Sequence, residues 1–281
     1  MSIGKAVGTL YLIGTPIGNL GDMTPRGLEL LRSADLVAAE DTRHTLELLN
    51  HFEIKNKLVR YDEHTKDTQG EALLQELRAG KQVALVSDAG LPGIADPGAD
   101  LAERCIAENI PVVPVPGANA ALTALIASGL PTQPFFFGGF LPKSVKNRKE
   151  QLELWRNVPA TMVFYEAPHR IKEVLSDVLK VWGNRRICLA RELTKLHEEF
   201  WRGDLAGAVE YLQSQDNIRG EFVIILAPPV VETVEYDLET LVSKVQELMA
   251  QGVAKKEALA QIAKEFKVPK RELYNRLLNQ E

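Results

Sequence analysis

The chain has 281 residues, of which 45% are hydrophobic and 25% charged. That length is enough for two domains of about 100 to 150 residues each. The net charge of −5 excludes a protein that is basic throughout, so any surface that binds a polyanion must be local. No apolar run approaches the roughly 18 residues of a membrane span, and no signal-peptide pattern is present, so we expect a cytoplasmic protein without a membrane partner.

Cysteine and histidine spacing predicts no metal site. Cys105 and Cys188 are far apart, and neither belongs to a CxxC motif or has a histidine at metal-ligand spacing. The five histidines show no HExxH-like spacing. We therefore expect no bound metal and two buried cysteines in a reducing compartment.

The first half alternates short β-rich runs with helix-period segments, which is typical of an α/β protein with a mainly parallel sheet. Strands are predicted at residues 9–13, 36–39, 83–86 and 112–115. Thr24 followed by Pro25 predicts a helix start, and residues 71–79 predict an amphipathic helix. Because the last of these strands runs into a Pro-Gly turn, we place the first domain at residues 1–117.

The second half repeats the alternation and predicts a second α/β domain at residues 118–229. Residues 118–130 are so rich in alanine and leucine that they predict a buried helix at the seam between the halves. Strands are predicted at residues 135–138, 161–165, 186–190 and 222–226, and helices at residues 146–156, 168–181 and 204–214.

Residues 230–281 predict a linker, at 230–235, followed by a small helical segment. Residues 252–281 carry seven Lys or Arg against four Glu, a local charge of +3. Two short helices there, separated by a break around Pro269, resemble a helix-turn-helix that could contact nucleic acid. The alternative is a helical cap that only packs or dimerises. The basic residues expected to contact RNA are Lys255, Lys256, Lys270 and Arg271.

Three loops after predicted strands are candidates for ligand binding. The loop at residues 14–19 follows the first strand, where α/β folds bind ligands, but a tight turn would need its glycines anyway. Residues 87–98 (SDAGLPGIADPG) hold three glycines and two prolines, a rigidity for which a plain connection has no use. Asp88 and Asp96 in that loop fit an amine or a ribose better than a phosphate. Asn119, after the fourth strand, either caps the next helix or borders a flat ligand.

Five segments carry a resemblance to a known family: GTPIGN, SDAGLPGIADPG, VPGANAALTALIASGLP, FYEAPHRI and ARELTKLHEEFWRG. Together they resemble the tetrapyrrole-methylase-like, or class III, methyltransferases. The resemblance implies two α/β domains with S-adenosylmethionine in the cleft between them, and often a homodimer. Within the family, the second and fourth segments resemble the bacterial branch that methylates the ribose 2′-oxygen of a cytidine in small-subunit ribosomal RNA. That branch implies the rRNA or the small ribosomal subunit as partner.

The resemblance assigns the cofactor to particular positions. The family usually has an aspartate where this chain has Leu91, so a carboxylate role there falls away or moves to Asp88. The cofactor-binding residues that the resemblance implies are Pro16, Asp88, Gly90, Leu91, Ile94, Ala95, Asn119, Ala120, Glu166 and Gly203.

Methyl transfer to a ribose also needs a group that orients or deprotonates a poor nucleophile. Acid–base clusters at residues 39–44, 166–170 and 191–195 follow predicted strands and should face the cleft. The alternatives are helix termini and solvated surface pairs. The catalytic candidates are Glu40, Asp88, Glu166 and Glu192.

A basic run at residues 141–149 is the candidate RNA contact outside the tail, and the preceding Gly138-Gly139 is a plausible hinge. The expected phosphate contacts are Lys143, Lys146, Arg148 and Lys149. A solvated helix entry is the alternative. Two rival functions stay open: a small-molecule methyltransferase acting on a tetrapyrrole, and a ligand-sensing regulator that binds DNA.

Overall fold

A computed structural model describes residues 7–229, 237–266 and 268–278. They divide into two compact units, one ending at residue 229 and one beyond it. The predicted linker at residues 230–235 and the tail residue Lys267 lie outside the described residues.

The first sheet of the larger unit has five parallel strands in the order β3-β2-β4-β1-β5. They are β1 (Leu10–Ile13), β2 (Leu36–Ala39), β3 (Leu58–Arg60), β4 (Val83–Val86) and β5 (Val112–Val115). Every residue of β2 and β4 is buried, as expected for central strands of a parallel sheet that is covered on both faces. The four predicted strands of this half are therefore confirmed.

Helices cover both faces of this sheet and form a hydrophobic core on each. They are α1 (Pro25–Ser33), α2 (Thr42–His51), α3 (Lys66–Arg78) and α4 (Gly98–Ala107), with a short 3-10 helix at Leu20–Asp22. The predicted start of α1 is confirmed: the Thr24 side chain accepts a hydrogen bond from the Gly27 amide, and Pro25 occupies the first turn.

The second sheet follows α5 (Ala120–Ala127) and has the order β6-β7-β10-β8-β9. Its strands are β6 (Phe135–Phe140), β7 (Thr161–Glu166), β8 (Arg186–Arg191), β9 (Glu199–Asp204) and β10 (Phe222–Leu226), and its helices are α6 (Val145–Trp155), α7 (Ile171–Trp182) and α8 (Leu205–Gln213). Strands β6 and β7 are parallel, whereas β10 is antiparallel to β7 and β8, and β8 to β9. The prediction of a mainly parallel sheet is thus wrong for this half.

Several elements differ from the sequence prediction for identifiable reasons. Strand β3 has three residues and β9 is largely polar, so neither shows a clear apolar pattern. Helix α5 is shorter than predicted and not wholly buried, since Leu122 is 47% and Ile126 77% exposed. The predicted domain boundary at residue 117 falls between the two sheets and stays a prediction.

The smaller unit consists of α9 (Leu238–Ala250), α10 (Lys255–Glu265) and α11 (Lys270–Leu278) around its own apolar core. The last two helices have the predicted helix-turn-helix-like succession. Lys256, Lys270 and Arg271 are exposed, and the Lys270 ammonium donates to the Lys256 carbonyl at 2.9 Å. Lys255 is half-buried, with its ammonium 5.8 Å from the centre of the Tyr274 ring. None of the described helices is long and apolar enough to cross a membrane.

Arg148 corrects one prediction about RNA contacts. Its side chain is fully buried, and its guanidinium donates to the Asp177 carboxylate at 2.9 and 2.7 Å. It faces inward because the apolar side of α6 packs on α7, which carries Asp177 and Glu173. A guanidinium held there cannot reach a phosphate, whereas Lys143, Lys146 and Lys149 are exposed.

We predict that Arg148→Ala lowers the free energy of unfolding by about 3 to 5 kcal/mol, because it leaves the buried Asp177 carboxylate without its partner. The matched control is Lys149→Ala, which should change stability by no more than about 0.5 kcal/mol. Urea unfolding of both variants checks this, and equal, small effects would contradict the structural role of Arg148.

Candidate active site

A cavity of about 450 Å³ lies where loops from the two sheets meet. The first sheet contributes the loops that follow β1, β2, β4 and β5, all at the carboxyl ends of parallel strands. The second sheet contributes the ends of β6, β7 and β8 and the beginning of β10. The cavity is therefore built by segments that are distant in sequence.

The glycine-rich loop after β4 forms one wall of the cavity. It is fastened to the loop after β1 by a two-way backbone pair between Thr15 and Gly90, with N–O distances of 2.9 and 3.1 Å. Asp96 stiffens the loop, since its carboxylate accepts from the amides of Gly93 at 2.7 Å and Gly98 at 2.8 Å. Among the wall residues, Ala95 has a φ of +68°, a conformation that is rare for non-glycine residues.

The loops after β1 and β5 touch through two glycines. A Cβ atom on Gly117 would lie 2.8 Å from the Gly14 Cα, so any side chain there would push the loops apart. Next to this contact, Asn119 caps α5 by accepting from the Leu122 amide at 2.9 Å. Asn119 and Ala120 also line the cavity, so capping and a place in the site coexist at Asn119.

The second sheet supplies the aromatic part of the wall, including Phe140, Tyr165 and Phe222. The Tyr165 hydroxyl accepts a hydrogen bond from the Ala121 amide at 3.2 Å, which ties β7 to α5. Burial raises the pKa of Tyr165, so its hydroxyl stays protonated at neutral pH.

Glu166, at the end of β7, is a carboxylate with an unfilled hydrogen-bonding position. The residue is 2% exposed. Its Oε1 accepts from the Ala167 amide at 2.9 Å and lies 3.6 Å from the Arg170 guanidinium, but its buried Oε2 has no partner. Burial raises the pKa of Glu166. A buried acceptor without a donor, on a cavity wall, is a position that a ligand donor would satisfy.

The charge of the cavity wall favours a cationic ligand. Its five carboxylates belong to Glu40, Asp88, Asp96, Glu166 and Glu221, and no Lys or Arg side chain is among the described residues that line it. Burial, followed by the negative charges of Asp88 and Asp96, raises the pKa of Glu40. Such a wall, interrupted by apolar and aromatic surface, suits an organic cation better than a phosphate.

The structure brings most of the predicted cofactor residues to this one cavity. Pro16 instead lines a neighbouring depression that shares Asp88 with the cavity. Asp88 is oriented there by the Asp41 amide, which donates to its Oδ1 at 2.9 Å. The predicted cofactor residues that line the cavity are Asp88, Gly90, Leu91, Ile94, Ala95, Asn119, Ala120 and Glu166.

Gly203 and Glu192 are corrections. Gly203 pairs with Ile187 near the start of β8, at the end of the sheet opposite the cavity, because β8 and β9 are antiparallel. Glu192 lies beside the cavity and not in its wall. Its Oε1 accepts from the Lys195 ammonium at 2.8 Å and the Glu221 amide at 2.9 Å, so it holds Glu221 in place.

The sequence analysis did not predict three parts of the wall: Phe140, Tyr165 and the segment 221–223. The last is informative, because it opens β10, which points its amino end at the cavity. The rule that ligands lie at the carboxyl ends of strands finds only residues on parallel strands. Gly220, which has a φ of +87°, immediately precedes this segment and is the local feature that could have indicated a turn into the cavity wall.

Comparison with known proteins agrees with this architecture. The family model described as Tetrapyrrole (Corrin/Porphyrin) Methylases matches residues 9–209, which include the first sheet and four strands of the second, β6 to β9. The chain belongs to this methylase family. Membership makes S-adenosylmethionine the methyl donor, a sulfonium cation of the kind that the acidic wall favours.

Two relatives match nearly the whole methylase chain. The "Ribosomal RNA small subunit methyltransferase I" of Halalkalibacterium halodurans is 51% identical over 272 residues, covering 95% of this chain and 94% of the relative. The protein of the same name from Bacillus subtilis is 47% identical over 274 residues, covering 96% and 94%.

A solved structure shows the same fold at lower identity. The uroporphyrin-III C-methyltransferase of Thermus thermophilus, in complex with S-adenosylhomocysteine, is 20% identical with a TM-score of 0.55. It covers 79% of this methylase chain and 99% of its own. An enzyme named for a different substrate thus has the same fold, so the fold alone does not determine the substrate.

We predict that Glu166→Gln weakens S-adenosylmethionine binding by about 10-fold or more, because a charged hydrogen-bond acceptor is lost from the cavity wall. Isothermal titration calorimetry measures the Kd. Glu210→Gln, on an exposed position of α8, is the matched control and should leave the Kd unchanged.

We also predict that the stability of Glu166→Gln relative to wild type depends on pH in the ligand-free protein. Since burial raises the pKa of Glu166 in the folded state, the wild type loses stability as pH rises from about 4.5 through that raised pKa. The melting temperature of Glu166→Gln relative to wild type should therefore be higher at pH 8 than at pH 4.5. A pH-independent difference would contradict the burial of an ionised carboxylate.

Proposed function

We propose that this chain transfers a methyl group from S-adenosylmethionine to the ribose 2′-oxygen of a cytidine in small-subunit ribosomal RNA. The proposal rests first on the relatives, which carry an rRNA methyltransferase name and match 95 and 96% of this chain. The 2′-oxygen and the cytidine come from the branch-specific segments SDAGLPGIADPG and FYEAPHRI.

RNA is favoured over a tetrapyrrole because the rRNA methyltransferases match more of this chain than the uroporphyrin-III C-methyltransferase does. The match with the uroporphyrin-III C-methyltransferase includes 99% of that enzyme but only 79% of this chain. The rRNA methyltransferase covers 95% of this chain, which leaves fewer residues unmatched than the C-terminal unit contains. Most of the C-terminal helical unit is therefore matched by the rRNA enzymes.

The cavity residues fit the cofactor in chemical terms. When bound, S-adenosylmethionine supplies an electrophilic methyl group on a positively charged sulfur. In this proposal the unpartnered Glu166 Oε2 and the carboxylates of Asp88 and Glu221 accept its polar hydrogens and balance its charge. The apolar residues Leu91 and Ile94 replace charged contacts with packing, which agrees with a leucine at a position where the family usually has an aspartate.

Among the catalytic candidates, Glu40 has the most suitable position for a general base. It lines both the cofactor cavity and an adjoining depression formed by the loops after β2 and β3. Its raised pKa makes the ionised Glu40 carboxylate a stronger base than an ordinary carboxylate. In the reaction the C–S bond breaks as the C–O bond forms, and the 2′-hydroxyl proton passes to the Glu40 carboxylate.

Exposed lysines supply the proposed RNA contacts. Lys143, Lys146 and Lys149 lie at the start of α6, directly after the β6 residue that reaches the cavity. In the C-terminal unit, Lys256, Lys270 and Arg271 are exposed, and Lys255 contributes from a half-buried position. Phosphate contacts of this kind position the RNA and make its binding salt-dependent.

The direct test incubates the protein and methyl-labelled S-adenosylmethionine with small ribosomal subunits that lack the modification. Total tRNA and a porphyrin serve as competing acceptors. We expect label in one rRNA nucleotide, and that nucleotide should resist alkaline cleavage because its 2′-oxygen is methylated. Label in a base, in tRNA or in the porphyrin would contradict the proposal.

We predict that Glu40→Gln lowers kcat for the subunit by about 100-fold or more, because the 2′-hydroxyl loses its proton acceptor. In the wild type, activity should fall as pH drops through the raised pKa of Glu40, and the variant should lose this limb. Glu47→Gln, at an exposed position of α2, is the matched control. An unchanged pH profile would assign the base to another residue.

A further inference from the structure

Strand β6 contains a β-bulge just before its end. Phe137 pairs with Val163, but Phe140 pairs with Tyr165, so three steps on β6 correspond to two on β7. Gly138 and Gly139 permit the bulge: a Cβ on Gly138 would collide with the Phe164 ring, and Gly139 has a φ of +61°. The two glycines, predicted as a hinge, are therefore an irregularity within a paired strand.

The bulge redirects Phe140. Because side chains alternate between the two faces of a strand, one extra residue places Phe140 on the same face as Phe137. Both rings contact Tyr165, with ring centroids 4.9 Å apart for Phe137 and 5.7 Å for Phe140. Without the bulge, Phe140 would point away from the cavity that it now lines.

Phe140 keeps a large free surface at this position. It is 55% exposed although it lines the cavity and is backed by Tyr165. A half-exposed ring costs free energy by contacting water, and the surrounding fold offers apolar cover to most other aromatic side chains. An aromatic ring fixed at the rim of a cavity is a surface on which a flat apolar group can stack.

Two arginine side chains fix the backbone of the segment that follows Phe140. The Arg170 guanidinium donates to the carbonyls of Leu141 at 2.9 Å and Pro142 at 3.1 Å. The buried Arg148 guanidinium donates to the carbonyls of Pro142 and Lys143, each at 3.3 Å. These contacts fix the backbone between the aromatic ring and the three exposed lysines.

We propose that Phe140 is the stacking platform for an unstacked RNA base at the methyl-acceptor site, with Lys143, Lys146 and Lys149 on the adjoining phosphates. The inference rests on the proposed function and names the part of the RNA that this surface takes, a single-stranded segment. An aromatic ring beside a row of basic side chains is the arrangement that binds single-stranded nucleic acid, where bases are free to stack. A duplex would offer its phosphates to the lysines but no free base face to Phe140.

The experiment compares Phe140→Ala with Phe135→Ala, using small ribosomal subunits that lack the modification. Phe135 is the matched control, since it is 43% exposed on the same strand but at the end away from the cavity. We expect Phe140→Ala to raise the KM for subunits about 10-fold or more, with the Kd for S-adenosylmethionine within twofold of wild type. Phe140→Trp should restore the KM, and Phe135→Ala should leave it unchanged.

The outcomes separate this inference from the function on which it rests. If wild type labels the rRNA but Phe140→Ala does so with an unchanged KM, the stacking platform is wrong and the proposed function stands. If Phe140→Ala weakens S-adenosylmethionine binding instead, Phe140 contacts the cofactor and the inference is overturned. If wild type places no methyl group on the rRNA, both proposals fail. Thermal unfolding of each variant excludes a loss of fold as the cause.

Discussion

The site depends on the contact between the loop after β1 and the loops after β4 and β5. The paired backbones of Thr15 and Gly90 hold the first two loops together, and the abutting backbones of Gly14 and Gly117 hold the third. Backbone contacts of this kind leave the side chains of Asp88, Leu91 and Ile94 free to face the cavity. The rigid glycine-rich loop therefore forms one wall of the cavity. Its glycines are required because the loop backbones pack closely together and because the turns need glycine conformations.

Charge connects this cavity to the basic rim of the second sheet. Glu166 contacts Arg170, and the Arg170 and Arg148 guanidiniums both bind carbonyls of the segment after Phe140. Arg148 in turn is neutralised by Asp177. The Arg148 and Arg170 guanidiniums thus order a segment whose exposed lysines would supply the charge for the proposed RNA contact, while the cavity itself stays acidic and suits the sulfonium cofactor. Under the proposed function, this separation of opposite charges over adjacent surfaces suits a cationic cofactor and a polyanionic RNA.

The unpartnered oxygen of Glu166 shows the conflict between stability and binding. A buried carboxylate with a raised pKa and an unfilled acceptor destabilises the ligand-free fold, and a ligand donor would compensate it. The bulge at Gly138-Gly139 is a similar case, since it interrupts strand pairing and leaves Phe140 half in water. Both features are unfavourable for folding alone, and under the proposed function the bound cofactor and RNA would compensate them.

Strand periods, helix periods and glycine-rich turns are properties of neighbouring residues, so the sequence was enough to predict the local elements and the ligand loops. It located β1, β2, β4 and β5 and the loop that carries Asp88, whereas single cofactor positions such as Glu166 were assigned by the family resemblance. Strand direction, register and burial depend on pairing between distant segments, so they became known only from the folded structure. The antiparallel β8–β9 pair removed Gly203 from the site, the packing of α6 on α7 buried Arg148, and one extra residue in β6 turned Phe140 toward the cavity.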